Sequence, residues 1–372
     1  MKGLNDLYQA VADPWEYARK MKSGGKPVIG YFCSYTPDEI IYASGAHPMR
    51  LFGTNGEISA ADAHLQAYSC SLVRGALENV LRGNLDFLDG TVFPHTCDSI
   101  QRLSDIWRLN TNFRFFADVV LPVKLDTDSA REYMVDVLRK FRRELAVGLG
   151  LTISDGDLEK SIECYNSIRI SLKQIYELHS NDPAVISSRD LYTIVKASMI
   201  MDRGYLAARL PEIVDALKKG EFATDVSGKK RLILTGSICD HPDIYDILEK
   251  SGGVVVWDDL CTGSRYFDGL IANGPDPIER IATRYTERLI CPAKHFSLTQ
   301  RGENIVRIAR EHKADGVIFL LLKFCDPHDF DYPYMKEFLD KEQIPNMLLE
   351  IEDQLPAEGQ LLTRFETFMH ML

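Results

Sequence analysis

The sequence lacks an apolar run long enough to cross a membrane. A membrane-spanning helix needs roughly 18 or more consecutive apolar residues, whereas the longest run here, Val317–Leu322, has the length of a buried strand. Residues 1–5 also lack the positively charged segment followed by an apolar segment with which a secretory signal peptide begins. These absences predict a cytoplasmic protein with no membrane span.

Positive charge is scarcer than negative charge. The 372 residues include 43 Lys and Arg against 54 Asp and Glu, which gives a net charge of −11. Proteins that bind nucleic acid usually carry a basic face, so no nucleic-acid partner is expected, although this total is compatible with a local basic pocket for an anionic ligand. The length and the 45% hydrophobic content suffice for two or three domains with ample cores.

Paired cysteines at short spacing are absent. Zinc ribbons and thioredoxin-like sites require a CxxC pair, and the reducing cytosol disfavours structural disulfides. Without such spacing, the general interpretation of each cysteine is a small buried hydrophobic residue. The eight cysteines are Cys33, Cys70, Cys97, Cys164, Cys239, Cys261, Cys291 and Cys325.

Short apolar strands alternate with helical segments in both halves of the chain. The middle part, Asp128–Lys219, shows only helical periodicity and ends with a helix over Pro211–Lys218. This pattern predicts an α/β fold with two Rossmann-like, doubly wound parallel-sheet domains and a helical region between them. The predicted parts are an N-terminal helical segment (1–25), a first α/β domain (26–127), a helical linker region (128–227) and a second α/β domain (228–372).

Three local patterns give more detailed predictions. Apolar residues at helical spacing predict a helix over Ala63–Leu81. Thr36 followed three residues later by Glu39 predicts a capping box at the start of another helix. The Asp258-Asp259 pair with Arg265 predicts either an ion pair in a solvated loop or a contact to a phosphate group.

Cys97 and Cys325 follow predicted strands that begin in the same way. Asp89-Gly90 precedes the strand before Cys97, and Asp315-Gly316 precedes the strand before Cys325, which suggests an internal repeat, although Asp-Gly is common in turns. Ligands of open parallel sheets bind beyond the C-terminal ends of strands. Cys70, at the start of a predicted helix among small polar residues, has similar surroundings. Three such thiolates could hold an iron–sulfur cluster, but their spacing alone favours buried cysteines that bind nothing.

The sequence resembles the family of (R)-2-hydroxyacyl-CoA dehydratase subunits and the related subunits of ATP-dependent (class I) benzoyl-CoA reductases. The resemblance covers nearly the whole chain, and the string FCDPHDFDYPY at Phe324–Tyr334 is its most specific part. It also lies in Val28–Gly53, Tyr68–Cys70, Leu85–Leu103 and Asp258–Phe267.

This resemblance implies a [4Fe–4S] cluster held between the two α/β domains by Cys70, Cys97 and Cys325. It also implies a homologous second subunit, a separate ATP-hydrolysing iron–sulfur activator that supplies electrons, and an acyl-CoA substrate. A branch of the family with a double-cubane cluster uses extra cysteines just before the position of Cys97, and this sequence has none between Cys70 and Cys97.

The implied function is the [4Fe–4S] subunit of a heteromeric, benzoyl-CoA reductase-like enzyme that reduces an aromatic acyl-CoA by ATP-activated one-electron steps. The first alternative is a subunit of an (R)-2-hydroxyacyl-CoA dehydratase, which acts through a ketyl radical. The second is a non-catalytic iron–sulfur electron relay subunit. A ligand-binding protein of the same fold without a cluster is a further alternative.

Ser34, Glu39 and His95 are the candidate catalytic residues. Ser34 and Glu39 follow the first predicted strand and are expected at the sheet edge where the ligand cysteines lie. His95, two residues before a predicted ligand, could donate a proton or a hydrogen bond to a cluster sulfur, and a solvated loop histidine is the alternative. Glu39 could instead serve in its capping box or ligate an iron, and His328 is a further candidate.

Overall fold

Two parallel β-sheets of four strands each form the centre of the molecule. The fold is described from a computed structural model, which covers residues 3–54, 56–288, 291–294, 297 and 299–372. The predicted α/β fold with two Rossmann-like domains is confirmed. The strands are β1 (Val28–Tyr31), β2 (His47–Arg50), β3 (Gly90–Pro94), β4 (Phe115–Val119), β5 (Lys230–Gly236), β6 (Gly253–Asp259), β7 (Gly316–Leu322) and β8 (Asn346–Ile351).

The two sheets have the same strand order. The first sheet runs β2-β1-β3-β4 and the second β6-β5-β7-β8, with all neighbouring strands parallel. The winding reverses between β1 and β3 and between β5 and β7, and open α/β sheets bind their ligands at such switch points. The shared order agrees with the internal repeat that the two Asp-Gly pairs suggest.

Asp89 and Asp315 hold equivalent positions in the two sheets. Each precedes the glycine that begins the third strand, and its carboxylate accepts a backbone N–H from the start of the first strand. Val28 donates to Asp89 Oδ2 over 2.9 Å, and Arg231 donates to Asp315 Oδ2 over 2.7 Å. The loops that follow β3 and β7 therefore emerge at equivalent places in the two sheets.

Helices pack on both sheets and also form the segment of the chain that connects them. Four helices between residues 128 and 218 separate β4 from β5, and the N-terminal helix (Asn5–Ala12) packs on the third of them (Ser188–Ile200). The helices are α1 (Asn5–Ala12), α2 (Pro14–Ser23), α3 (Asp38–Ala43), α4 (Ser71–Leu81), α5 (Asp98–Asn110), α6 (Asp128–Leu149), α7 (Asp155–Asn181), α8 (Ser188–Ile200), α9 (Arg203–Lys218), α10 (Asp243–Lys250), α11 (Ser264–Phe267), α12 (Pro277–Glu287), α13 (Gln300–Glu311), α14 (Asp326–Lys341) and α15 (Glu358–Met371).

A continuous hydrophobic core joins the two sheets. Phe32 and Phe93 of the first sheet region share this core with Leu320 of β7. The C-terminal edges of the sheets also touch directly, because the Ser34 hydroxyl after β1 donates to the Cys261 carbonyl after β6 over 3.3 Å. The switch points of both sheets therefore face one seam between the two domains.

The predicted helix over Ala63–Leu81 is wrong in its first part. Residues Ala61–Ala63 form a single 3₁₀ turn, and α4 begins only at Ser71. Cys70 has an extended backbone (φ −62°, ψ 154°), which ends any helical geometry before it. The apolar spacing of residues 63–70 reflects packing of a loop, which helical periodicity cannot distinguish from a helix.

Two prolines lie inside elements whose extent the sequence does not predict. Pro48 is part of β2, which no apolar run in the sequence indicates, and β2 is an edge strand, the position at which a sheet tolerates proline. Pro211 lies inside α9, which begins eight residues earlier at Arg203. The prediction that a helix starts at Pro211 is therefore wrong.

Candidate functional site

Three cysteines are the N-cap residues of helices at the seam. Cys70 precedes α4, Cys97 precedes α5, and Cys325 precedes α14. Backbone N–H groups in the first turn of each helix face the sulfur and favour its thiolate form. The positive end of each helix dipole adds to this effect. The sequence thus gives all three side chains a local environment suited to thiolates.

Burial opposes the thiolate form of the same three side chains. It raises the pKa of Cys70 and raises the pKa of Cys97 to about 12. It also raises the pKa of Cys325 well above its usual value. The thiols are therefore protonated at neutral pH unless a cation replaces their protons, as metal binding does.

The charges of these thiolates act on one another, which places the sulfurs in one region. A charge on Cys70 raises the pKa of Cys97, and charges on both raise the pKa of Cys325. Cys97 and Cys325 also pack against the core to which Cys70 belongs. The structure therefore brings the predicted ligands together at the seam.

The arrangement differs from that of a site for a single metal ion. Within residues 3–54, 56–288, 291–294, 297 and 299–372, no group of three or more His, Cys, Asp or Glu side chains is placed to hold one ion. A [4Fe–4S] cubane places each thiolate on a different iron, so its ligands stand farther apart than those of one zinc ion, whose Zn–S bonds are about 2.3 Å. Three thiols at the N-termini of three helices are the type of ligand that such a cluster requires.

Ser34 lies between two buried arginines. Its hydroxyl accepts a hydrogen bond from Arg50 Nη1 over 2.9 Å, and its carbonyl accepts one from Arg288 Nη1 over 2.8 Å. The side chain is buried at the C-terminal end of β1, where it is 9% exposed. Ser34 therefore stands at the predicted sheet edge, and its catalytic role stays a prediction.

Glu39 lies in a buried ion pair rather than in a capping box. Its carboxylate pairs with Arg169 and with Arg284, the latter at 3.5 Å, and accepts the Tyr285 hydroxyl over 3.1 Å. Burial raises the pKa of Glu39, but the two guanidinium groups outweigh burial and hold the pKa below its usual value. The predicted Thr36 cap is wrong because α3 begins after Pro37 with no side-chain cap.

His95 bonds to the neighbouring strand of its own sheet. Its Nε2 lies 2.9 Å from Asp118 Oδ1 on β4, and its side chain is 18% exposed. Asp118 also accepts hydrogen bonds from Ser104 and Arg108 of α5. The contact orients the imidazole two residues before Cys97, and the predicted proton-donor role stays a prediction.

A second group of sulfur and imidazole side chains lies beside the first, and of its members only His328 is a candidate from the sequence. Cys261, after β6, hydrogen-bonds with Cys291 and His328 and accepts Arg265 Nη1 over 3.5 Å. The hydrogen bond from Cys291, with the Arg265 charge and the His328 contact, lowers the pKa of Cys261 well below its usual value despite burial. The position of Cys261 after a strand end is the one sequence signal that could have indicated it.

The ion pair of Asp259 with Arg265 lies in the interior, not in a solvated loop. Arg265 Nε is 2.8 Å from Asp259 Oδ1, and both side chains are 1% exposed. Arg265 also donates to the Gly236 carbonyl. The predicted exposure of this ion pair is therefore wrong, because the contacts of Arg265 with Asp259 and Gly236 hold the start of the loop after β6 in the interior.

Comparisons with known proteins agree with this architecture. Residues 33–372 match the family described as 2-hydroxyglutaryl-CoA dehydratase, D-component. The chain belongs to this family. The match begins at Cys33 and includes all three helix-capping cysteines, so the resemblance inferred from sequence strings is confirmed.

Relatives in this family match the chain over nearly its whole length. The (R)-phenyllactyl-CoA dehydratase beta subunit of Clostridium sporogenes is 32% identical over 372 residues, which cover 100% of this chain and 99% of the relative. The beta subunit of lactoyl-CoA dehydratase from Anaerotignum propionicum is 26% identical over 99% of this chain and 98% of the relative. One of the benzoyl-CoA reductase subunits of Thauera aromatica is 28% identical over 91% and 88%, respectively.

These relatives are subunits of acyl-CoA dehydratases and of a benzoyl-CoA reductase. The prediction that this chain is a subunit of an enzyme of this group is therefore confirmed. In the described part of the chain, no helix combines the length and the apolar character that a membrane crossing requires.

Proposed function

We propose that this chain is the [4Fe–4S] subunit of a heteromeric acyl-CoA enzyme, with Cys70, Cys97 and Cys325 as the cluster ligands. The observation that carries the proposal is that these three cysteines, far apart in sequence, cap three helices at one seam. The proposed partners are a homologous second subunit and an ATP-hydrolysing iron–sulfur activator, both implied by the resemblance. The proposed substrate is an acyl-CoA thioester.

The protonation of the thiols supports iron binding at this place. The thiolate forms of the three cysteines would repel one another, and burial favours the protonated thiols. Iron would replace three protons, and the first-turn N–H groups would then stabilise the bound sulfurs through charge-assisted hydrogen bonds. When bound, the cluster would supply single electrons at low potential.

The remaining seam residues would exclude water from the site and hold its polar side chains in position. Phe32 and Phe93 belong to the hydrophobic core that both sheets share, and this core would exclude water from one side of the seam. The Asp118 carboxylate holds the His95 imidazole in one orientation, from which His95 could move a proton to or from Nδ1. Ser34 fixes the guanidinium of Arg50 beside the Cys261 carbonyl.

Dehydration of a 2-hydroxyacyl-CoA is our first choice of reaction. The phenyllactyl-CoA dehydratase relative is 32% identical and covers the whole chain, against 28% and 91% for the benzoyl-CoA reductase relative. Reduction of an aromatic acyl-CoA, which the sequence strings put first, becomes the second candidate and is supported by the benzoyl-CoA reductase relative. Assay of the purified complex with (R)-2-hydroxyacyl-CoA and with benzoyl-CoA separates the two.

Iron content of cysteine variants tests the proposed ligands. The chain is co-produced with its partner subunit and purified without oxygen, and iron and acid-labile sulfide are measured. Cys325→Ser should lose iron and activity together, whereas Cys164→Ser should lose neither, because Cys164 lies in α7 with Tyr42 as its side-chain partner. Equal iron content in the two variants, or full activity of an iron-free wild-type complex, contradicts the proposal.

A further inference from the structure

Among the residues that the structure describes, the buried guanidinium of Arg50 forms hydrogen bonds only to neutral groups. It ends β2, and its side chain is 0% exposed. Nη1 donates to the Ser34 hydroxyl over 2.9 Å and to the Cys261 carbonyl over 3.2 Å. Among the described residues, Nε and Nη2 have no hydrogen-bond partner. A buried guanidinium with two nitrogens that lack a hydrogen-bond partner indicates that an anion nearby balances its charge.

Other fully buried arginines of this chain are compensated. Arg265 faces the Asp259 carboxylate at 2.8 Å. Arg203 lies 3.9 Å from the Asp38 carboxylate and donates to the carbonyl groups of Pro48 and Met199. Removing a charged group from water without a counter-charge is unfavourable, so Arg50 differs from these two fully buried arginines and needs an explanation.

A chain of contacts links Arg50 to the thiol seam. The Cys261 carbonyl that accepts from Arg50 belongs to the residue whose sulfur contacts His328. The backbone N–H of His328 in turn faces the sulfur of Cys325. Two residues, Cys261 and His328, therefore connect Arg50 to the proposed cluster ligand Cys325. Negative charge at the thiol seam would act on Arg50 through a medium that contains little water.

We propose that Arg50 compensates the negative charge of the thiolate-bound cluster and thereby raises its reduction potential. This inference rests on the proposed function. A reduced cluster carries one more negative charge than an oxidised one, so a fixed buried cation stabilises the reduced form more, and net charge and burial set cluster potentials. Ser34 acts as a positioning residue, because its hydroxyl holds Nη1 while Nε and Nη2 have no hydrogen-bond partner among the described residues.

The experiment measures the cluster itself rather than turnover. The complex is purified without oxygen as wild type, Arg50→Gln and Arg50→Lys, and the reduction potential is determined by titration with detection by electron paramagnetic resonance. Arg50→Gln should shift the potential to more negative values and release iron to a chelator faster. Arg50→Lys, which keeps the charge, should restore most of the wild-type potential.

Two further measurements separate this proposal from simpler explanations. Arg203→Gln, at a buried arginine with full contacts, should lower resistance to urea and leave the potential unchanged. After iron removal, Arg50→Gln should resist urea better than wild type, because the uncompensated charge is gone, whereas Arg203→Gln should not.

The outcomes are distinct for the site and for Arg50. An unchanged potential in iron-loaded Arg50→Gln overturns the inference and leaves the proposed function standing. Loss of acyl-CoA binding at unchanged potential, measured by calorimetry with the CoA thioester, also overturns it, because the anion would then be the substrate. A wild-type complex without iron overturns both.

Discussion

Arg169 of α7 and Glu39 of α3 form a buried ion pair that ties the first sheet to the helical region. Arg284 of α12 approaches the same carboxylate at 3.5 Å, so three helices meet at one buried charge. The Ser161 hydroxyl of α7 adds a hydrogen bond to the Glu39 carbonyl over 2.7 Å. This geometry satisfies Glu39 completely within the chain.

Replacing Glu39 should therefore lower the stability of the fold, and any loss of activity should follow from that. Glu39→Gln leaves Arg169 and Arg284 buried beside a neutral amide, and breaking such a buried pair costs about 3–5 kcal/mol. Urea unfolding of the purified complex measures this loss. Glu144→Gln, which breaks an exposed pair with Lys140 at 3.5 Å, is the control and should change stability by less than about 1 kcal/mol. Lost activity at unchanged stability would instead support the predicted catalytic role of Glu39.

Asp258 should make stability fall as pH rises toward 6. Burial, aided by the Asp259 charge, raises the pKa of Asp258 to about 6, although hydrogen bonds from Tyr176 and the Ser264 N–H oppose the shift. The folded chain thus binds a proton that the unfolded chain releases near pH 4, and stability present below pH 4 is lost up to pH 6. At about 1.4 kcal/mol per pKa unit, the loss is about 3 kcal/mol.

The Asp258→Asn variant isolates this effect. The amide oxygen can still accept from the Ser264 N–H, to which Asp258 Oδ1 bonds over 2.7 Å. Urea midpoints of wild type and variant are compared between pH 4 and pH 8, and their difference should grow in favour of the variant up to pH 6 and then stay constant. A difference independent of pH would show that Asp258 does not titrate in this range.

Cys261 should react with a small electrophile faster than Cys239. The Cys291 hydrogen bond and the Arg265 charge favour its thiolate, whereas burial raises the pKa of Cys239 to about 12. Methylthiolation of the iron-free protein, followed by peptide mass spectrometry over time, should label Cys261 before Cys239. Cys291→Ser should slow labelling of Cys261. Labelling at equal rates in the wild type would contradict the lowered pKa.

Strand-end cysteines were accessible to prediction because their signals are local. Asp89-Gly90 and Asp315-Gly316 mark turns before apolar runs, and parallel sheets bring the ends of such runs to one edge. The ion pair of Glu39 with Arg169 joins positions 130 residues apart, and no local pattern encodes such a partner. The position of Arg50 was not predicted for a related reason: its strand, β2, is short, contains Pro48 and lies at the edge of the sheet.

Gly75→Ala should disturb the thiol seam through packing alone. Gly75 lies in α4, and a Cβ at this position would stand 2.4 Å from the Thr54 backbone nitrogen and 3.1 Å from the Gly53 Cα. Backbone atoms cannot yield as a flexible side chain can, so α4 must shift, and Cys70 at its N-terminus must shift with it. Overpacking of this kind costs about 1–3 kcal/mol, and the complex should also lose iron.

Gly359→Ala is the matched control for this substitution. Gly359 lies in the first turn of α15, and a Cβ there meets no atom within 4 Å. Alanine should therefore stabilise the chain by about 0.4–1 kcal/mol through the lower entropy of the unfolded state, with iron content unchanged. If Gly75→Ala retains full iron despite a lower urea midpoint, the position of α4 does not control the Cys70 ligand, and the proposed cluster geometry must tolerate a displaced helix.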